Sequence, residues 1–446
     1  MARRIWTLLT AAALCFGLAQ TAGARSFVRD AEIERTLRMM SAPVFRAAGI
    51  GPDDVRIFIL QDPALNAFVA GGRNMVLFTG LLREMKEPET VMGVIAHEVG
   101  HITGGHLARR QIVARELAGP ALIGSLLAAV AAGAAGSPEA AAAIALGGGS
   151  ATQRSLLAFS RAEEASADQA AVAYMNRAGV DPEGMLAILR RFKGQEVFQS
   201  GRIDPYAQSH PLSAERIALL EERIAQSPAR GRSASPEIQY WFQRMRAKLD
   251  GFTDRPERVL ARLEQDPEPD SELNVYRRAI ALHRTGRPDA ALATVDRLIA
   301  MRPQDAFYHE LKGQILFESA RPAEAVAAYR QAARLAPDEP LIAGWLGRAL
   351  LASGLPGADA EALRILEASA RDDPGEPGVL RDLAQAYARA GRDGDAALAT
   401  AERLALVGDP EGAVRMARRA MDLLPTGSPG WRRADDIAAL APDAGR

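Results

Sequence analysis

The sequence predicts a mostly helical α+β domain with a small sheet, followed by an all-α solenoid of helical repeats. Three observations carry that expectation. Two short runs rich in β-branched and aromatic residues, 55–60 and 75–78, precede a stretch whose apolar residues recur at helical spacing. Beyond residue 238, matching residues return at a 34-residue interval. The 446 residues, 48% hydrophobic and 24% charged, supply material for two cores, near the size at which single domains stop growing. The expected boundaries are a leader over 1–24, the α+β domain over 25–226, a linker over 227–238 and the repeats over 239–446.

The leader carries Arg3 and Arg4, an apolar run from Ile5 to Leu18, and then Ala22-Gly23-Ala24. That order of charge, apolar run and small residues is the pattern of a cleavable secretory signal, and the run is short for an uncleaved membrane anchor. Cleavage before Arg25 removes two arginines and no acids, taking the formal charge from −1 to −3. The one cysteine, Cys15, lies inside this segment behind Leu14, where a lipoprotein signal would need a small residue. The mature chain is therefore expected to hold no disulfide, which a large core permits even in an oxidising compartment.

Val55-Arg56-Ile57-Phe58-Ile59-Leu60 and Met75-Val76-Leu77-Phe78 read as strands, with Gly71-Gly72 between them as a turn. A helix follows, and it carries His97-Glu98-Val99-Gly100-His101. Residues four apart lie one turn apart on one helical face, so His97 and His101 can reach a single ion. Glu98 stands beside them, where a carboxylate can take the proton from a zinc-bound water and pass it to a leaving amine. Six histidines in 446 residues, and apolar neighbours on either side, set this pair apart from a solvated surface helix. The expected chemistry is that of a zinc-dependent metalloendopeptidase with one Zn2+ per chain, on a zincin-like α+β domain.

Such a site needs a third protein ligand and an open fourth position. His106 competes for the role, but His101-Ile102-Thr103-Gly104-Gly105-His106 is one residue short of the metzincin spacing, and Leu107 occupies the required place. Glu164 is the preferred candidate, with Glu163 its rival. It lies in a helical run with Asp168 one turn on, so one carboxylate can ligate while the other accepts a hydrogen bond from a ligating histidine.

Together with Asn66-Ala67-Phe68-Val69-Ala70-Gly71-Gly72 and Phe78-Thr79-Gly80-Leu81-Leu82, the two motifs resemble the gluzincin family of the CAAX prenyl protease, the mitochondrial Oma protease and the HtpX heat-shock protease. The soluble periplasmic branch with tetratricopeptide repeats is the nearest match. The resemblance runs from about Phe27 to Ala225. It implies His97, His101 and Glu164 as metal ligands, Glu98 as general base, and Asp168 as partner of a ligating histidine. It also brings in Ser209-His210-Pro211-Leu212-Ser213-Ala214-Glu215-Arg216-Ile217, similar to the family's H-P-x-x-x-x-R-I segment. His210 by itself reads as a loop histidine. The resemblance puts it near the zinc, either stabilising the transition state or holding the enzyme latent. Arg216 is left with two roles, orienting a substrate carbonyl or forming a structural ion pair. The resemblance further implies that an edge strand of the sheet binds extended substrate through main-chain hydrogen bonds.

Residues 117–150 are long and apolar, and HtpX-type relatives span the membrane at this place. Here Gly and Ala dominate and Pro120 interrupts early, which contributes little insertion energy. A helical pair over the active site, able to make peripheral contact with a membrane or a client, is the reading preferred to a membrane span.

Ala225 to Pro236, rich in Ser, Arg, Gly and Pro, reads as a linker or domain boundary. Beyond it Pro303 and Pro337, Gly313 and Gly347, and Leu311 and Trp345 all stand 34 residues apart, the tetratricopeptide period. A later unit is stretched by Leu355-Pro356-Gly357. Such a solenoid ordinarily holds a peptide or partner protein.

Lys and Arg number 54 against 55 Asp and Glu, with no basic run interleaved with aromatics, so no nucleic-acid partner is expected. The whole reading is of a secreted, periplasmic zinc endopeptidase acting on unfolded or misassembled envelope proteins. Its repeats would recruit clients or the outer-membrane assembly machinery. A chaperone-like repeat adaptor with a latent zinc domain is the alternative.

Overall fold

The structure is a computed structural model that describes residues 27–70, 73–106, 109, 151–192, 210 and 213–439, without the side chains of 151–160 and 192. The leader, the Gly71-Gly72 turn and the 117–150 segment therefore lie outside the described residues. Among the described residues the chain is mostly helical with one four-stranded sheet, and it divides into two compact units. One unit holds the first strand with Glu34–Phe242; the other holds Gln243 onward together with Arg29–Ile33.

The first unit begins with β1 (Phe27–Val28), α1 (Ala31–Ala47, from Glu34 onward), β2 (Arg56–Leu60), β3 (Ala67–Ala70) and β4 (Asn74–Phe78). The sheet order is β1-β2-β4-β3, with β2 and β4 parallel and the two outer strands antiparallel to their neighbours. β2 and β4 are the two strands expected from the sequence, paired Arg56 with Asn74 through Leu60 with Phe78. The edge strand β3 was not expected: it is four residues long, two of them alanine, and its strand signal comes from pairing with β4 rather than from propensity. Met75, Leu77 and Phe78 bury one end of this core with Leu81 and Leu82 of α2 (Thr79–Glu84).

α3 (Pro88–Thr103) opens with a proline at its first position, where no backbone N–H is needed. Every residue from Thr90 to His101 is buried, so this helix runs through the middle of its unit and is apolar nearly all round. α4 (Ala151–Ala178), α5 (Glu183–Phe192) and α6 (Ala214–Ala225) complete the surroundings of the site. The stretch after α6 is held to the same unit. Ser227 bonds Asn176, Asp181 accepts from the Gly231 backbone, and Glu89 accepts from the Ala234 backbone at 2.6 Å.

The second unit is helical throughout. It comprises α7 (Pro236–Thr253, from Gln243 onward), α8 (Pro256–Glu264), α9 (Glu272–Arg284), α10 (Pro288–Met301), α11 (Ala306–Glu318) and α12 (Pro322–Leu335). These are followed by α13 (Pro340–Ser353), α14 (Ala358–Asp372), α15 (Pro377–Arg389), α16 (Asp393–Leu406), α17 (Pro410–Leu423) and α18 (Pro429–Ala438). Helices α9, α11 and α13 start at 272, 306 and 340, which is 34 residues from each to the next. At Gly313 a Cβ would sit 2.8 Å from the Tyr329 ring, and at Gly347 one would sit 2.5 Å from Leu366. The same small position in successive units lets the paired helices close.

The interior of this unit also contains charge. Arg244, fully buried, forms an ion pair with Glu32 at 2.7 Å, donates to Asp305 at 2.8 Å and lies 4.0 Å over the Tyr308 ring. Lys248 meets Asp30 at 2.7 Å, the Tyr276 hydroxyl donates to Glu32 at 2.6 Å, and Arg29 reaches Glu376 at 3.0 Å. Arg29, Asp30 and Glu32 thus pair with residues more than two hundred positions away.

Candidate metal centre

The site is built where α3 and α4 cross. At Gly100 a Cβ would lie 2.8 Å from the Ala167 carbonyl oxygen and 2.9 Å from its Cα, so only glycine lets the two backbones approach this closely. That approach presents Glu164 and Asp168, one turn apart on α4, to His97 and His101, one turn apart on α3. Nε2 of His97 lies 3.1 Å from Nε2 of His101 and 3.2 Å from Oε2 of Glu164, and His101 Nε2 lies 3.3 Å from Glu164 Oε1.

His210 arrives from the far side. Its Nδ1 is 3.2 Å from His97 Nε2 and 3.1 Å from Glu164 Oε2. Its Nε2 faces Glu98 Oε1 at 3.3 Å and the Ala67 carbonyl of the edge strand β3 at 3.4 Å. One donor atom from each of His97, His101, Glu164 and His210 falls within a 4.8 Å cluster, and all four residues are buried. Glu163 is buried as well but is not part of that donor set.

These residues fit a divalent cation. Donors 2.0–2.1 Å from a tetrahedral zinc stand about 3.3 Å from one another, and the nitrogen and oxygen atoms above are separated by 3.1–3.3 Å. Four buried atoms with lone pairs turned toward one point repel unless a proton or a cation lies among them. Among the described residues, buried Glu98 Oε1 finds no hydrogen-bond donor of good geometry, although His210 Nε2 faces it at 3.3 Å.

The supporting contacts set the electrostatics. Asp168 Oδ1 accepts from His97 Nδ1 at 2.9 Å, turning Nε2 toward the cluster. Ser213 caps α6 by accepting from the Arg216 backbone N–H at 3.1 Å, which fixes Arg216 in the first turn. Its buried guanidinium forks onto Asp168 at 2.6 and 2.9 Å and reaches Glu164 Oε2 at 2.9 Å. Of the two roles open to Arg216 in the sequence, the geometry is that of the ion pair.

Burial works against the charge of His97, yet hydrogen bonds to Asp168 and Glu164, with their charges, raise it to about 10. Burial, with the charge of His97 beside it, lowers His101. Burial opposes ionisation of Asp168 too, but the Arg216 and His97 hydrogen bonds bring it down to about 2. Glu164 falls well below its ordinary value, as the charge of His210 and three histidine hydrogen bonds outweigh its desolvation. The carboxylates therefore stay ionised, and the cluster attracts positive charge.

His106, the rival third ligand in the sequence, is elsewhere. It lies behind His101, its Nδ1 3.0 Å from His101 Nδ1, and it is not in the donor set. Sequence spacing did not reveal this contact; the Gly104-Gly105 pair that turns the chain back is its only local signal.

The chain matches peptidase family M48 over residues 28–224, the span that contains α3, α4 and α6. Tetratricopeptide repeats match over 276–340 and 310–374. The chain is 27% identical to the β-barrel assembly-enhancing protease of Yersinia pestis, over 79% of this chain and 71% of that protein. With the protein of the same name from Escherichia coli K12 the identity is 25%, over 76% and 69%. With the mitochondrial metalloendopeptidase OMA1 of Schizosaccharomyces pombe it is 25%, over 44% and 55%. The chain carries a metallopeptidase domain of family M48 joined to tetratricopeptide repeats.

Proposed function

We propose that the chain is a periplasmic zinc endopeptidase acting in quality control or assembly of outer-membrane proteins. The observation that carries the chemistry is the buried donor set of His97, His101, Glu164 and His210 with the Glu98 carboxylate against it. The β-barrel assembly-enhancing relatives and the secretory pattern of the leader support the compartment and the substrate class. Among the described residues, no helix is long and apolar enough to cross a membrane.

In this reading His97, His101 and Glu164 hold the metal, and Asp168 and Arg216 hold the ligands. When bound, zinc supplies Lewis acidity, polarising the scissile carbonyl and making water easier to deprotonate. Glu98 takes the proton from the attacking water and delivers it to the departing amide nitrogen, for which its buried carboxylate beside the donor set is suited. β3, at the edge of the sheet, offers main-chain groups to an extended substrate. Such a mode reads backbone more than side chains and suits unfolded envelope proteins.

His210 takes the role of latch. As a fourth protein donor it would occupy the position that a catalytic site keeps open for water, and its withdrawal would open the site to substrate. The same fourth donor favours a second reading, a chaperone-like repeat adaptor whose zinc domain stays latent. The repeats would recruit clients or the assembly machinery in either case.

Zinc content and cleavage of an unfolded outer-membrane protein, measured on wild type, Glu98→Gln and His210→Ala, separate the two. The protease reading expects Glu98→Gln to keep zinc and lose cleavage, and His210→Ala to cleave faster. Stoichiometric zinc without cleavage in all three proteins would establish the adaptor instead.

A further inference from the structure

We infer that His106 is a positioning residue for the metal centre, holding His101 in the one tautomer that can bind a cation. This rests on the reading of His101 as a ligand. Nε2 of His101 faces the other donors at 3.1 and 3.3 Å, so for its lone pair to be available the ring proton must sit on Nδ1. Nδ1 then donates, and the atom 3.0 Å away is Nδ1 of His106. His106 must accept with that nitrogen and carry its own proton on Nε2. The contact fixes both tautomers at once.

The two histidines of α3 are thus supported in different ways. His97 donates to a carboxylate, Asp168. His101 donates to a neutral imidazole, which orients the ring without adding negative charge to a cluster that already holds Glu98, Glu164 and Asp168. His106 is buried, and its ring meets that of His101 edge-on, centroids 5.0 Å apart at 79°.

The local chain is shaped for this contact. α3 stops at Gly104, whose N–H bonds the Gly100 carbonyl, and Gly105 follows at φ 63°, turning the backbone so that His106 folds under the last turn. Gly104 has an ordinary helical φ of −72°, so its lack of a side chain answers a different need. A Cβ there would lie 2.4 Å from Nε2 of His106. The glycine leaves room for the ring.

The test is zinc and cobalt binding to the metal-depleted full chain, read by chelator competition and by the visible absorption of bound cobalt. The variants are His106→Leu, His106→Asn and Gly104→Ala, with His97→Ala as reference. Loss of an outer hydrogen-bond partner typically weakens metal binding about 10- to 100-fold, and His106→Leu is expected to do so with an altered cobalt spectrum. Asn places an acceptor oxygen where Nδ1 stands and is expected to bind within about threefold of wild type. Gly104→Ala keeps the imidazole but displaces it, so its affinity is expected to fall as well, and it carries the test should His106→Leu not fold. Wild-type affinity in His106→Leu, or an equal loss in His106→Asn, overturns the inference. Wild type that binds no more metal than His97→Ala overturns the metal centre itself.

Discussion

Replacing Arg216 by methionine keeps the apolar stem and removes the guanidinium that binds Asp168 at 2.6 and 2.9 Å and Glu164 at 2.9 Å. Two ionised carboxylates are then left in a buried site without their arginine partner. Removing one partner of a buried ion pair costs about 3–5 kcal/mol, because the other charge stays desolvated. Each 1.4 kcal/mol or so is tenfold in an opening equilibrium. Amides of α3 and α4 in the metal-depleted chain are therefore expected to lose more than roughly a hundredfold of hydrogen-exchange protection at pH 7. A bound dication compensates the same carboxylates, so the loss is expected to shrink in metal-loaded protein. The acid side follows with the same sign. Asp168, held at about 2 instead of 3.8, gives stability that is complete above its unfolded value and is lost as pH falls through 2. Without Arg216 that loss begins at higher pH. Protection in metal-depleted Arg216→Met within about threefold of wild type would show that the fork contributes little and refute the argument.

Three further outcomes are expected. Gly100→Val drives a side chain into the Ala167 backbone, so thermal unfolding of the chain should show a loss of about 1–3 kcal/mol, with weaker metal binding as Glu164 is pushed from the histidines. Glu98→Gln should leave zinc binding unchanged while cleavage of an unfolded protein falls by at least about a hundredfold, since the amide cannot take a proton. Burial, with Asp30, Glu32 and Glu339 nearby, raises Glu310 to about 8 against the pull of Lys248. An acid raised in this way favours folding most below its unfolded value near 4.5 and progressively less as pH climbs toward 8. Urea pulse proteolysis of the repeat unit should find stability falling by up to about 1.4 kcal/mol per pH unit across that window, and a flatter profile in Glu310→Gln.

The pair on α3 could be read from sequence because four-residue spacing on an apolar helix fixes its own geometry, and Glu164 with Asp168 follow the same rule. What brings the two helices together is a packing fact at Gly100 and Ala167, which no periodicity records. His210 stands 109 positions after His101, and its place came from resemblance alone, since closure over that distance is decided by tertiary structure. The repeats were legible because each helix pair solves the same packing problem, so Gly313 and Gly347 return at one interval. β3 was not, because its strand character is conferred by β4. Nothing local marks Asp30 and Glu32 as partners of Lys248 and Arg244, for an acidic residue near a helix start has many ordinary uses.

The short stretch Arg29–Ile33 alters the mechanics of the solenoid. A repeat array held only by neighbouring contacts behaves as a spring, and it can unzip one unit at a time. Here Glu32 is bound to Arg244 on α7 and Tyr276 on α9, Asp30 to Lys248 on α7, and Arg29 to Asp373 and Glu376 between α14 and α15. Three residues thus tie α7, α9 and the junction of α14 and α15 to one short segment, so these helices are expected to yield together. The last helices have a separate small core around Ala401, Ala417 and Ala434 and remain free to fray alone. The solenoid is a stiff beam with one compliant end.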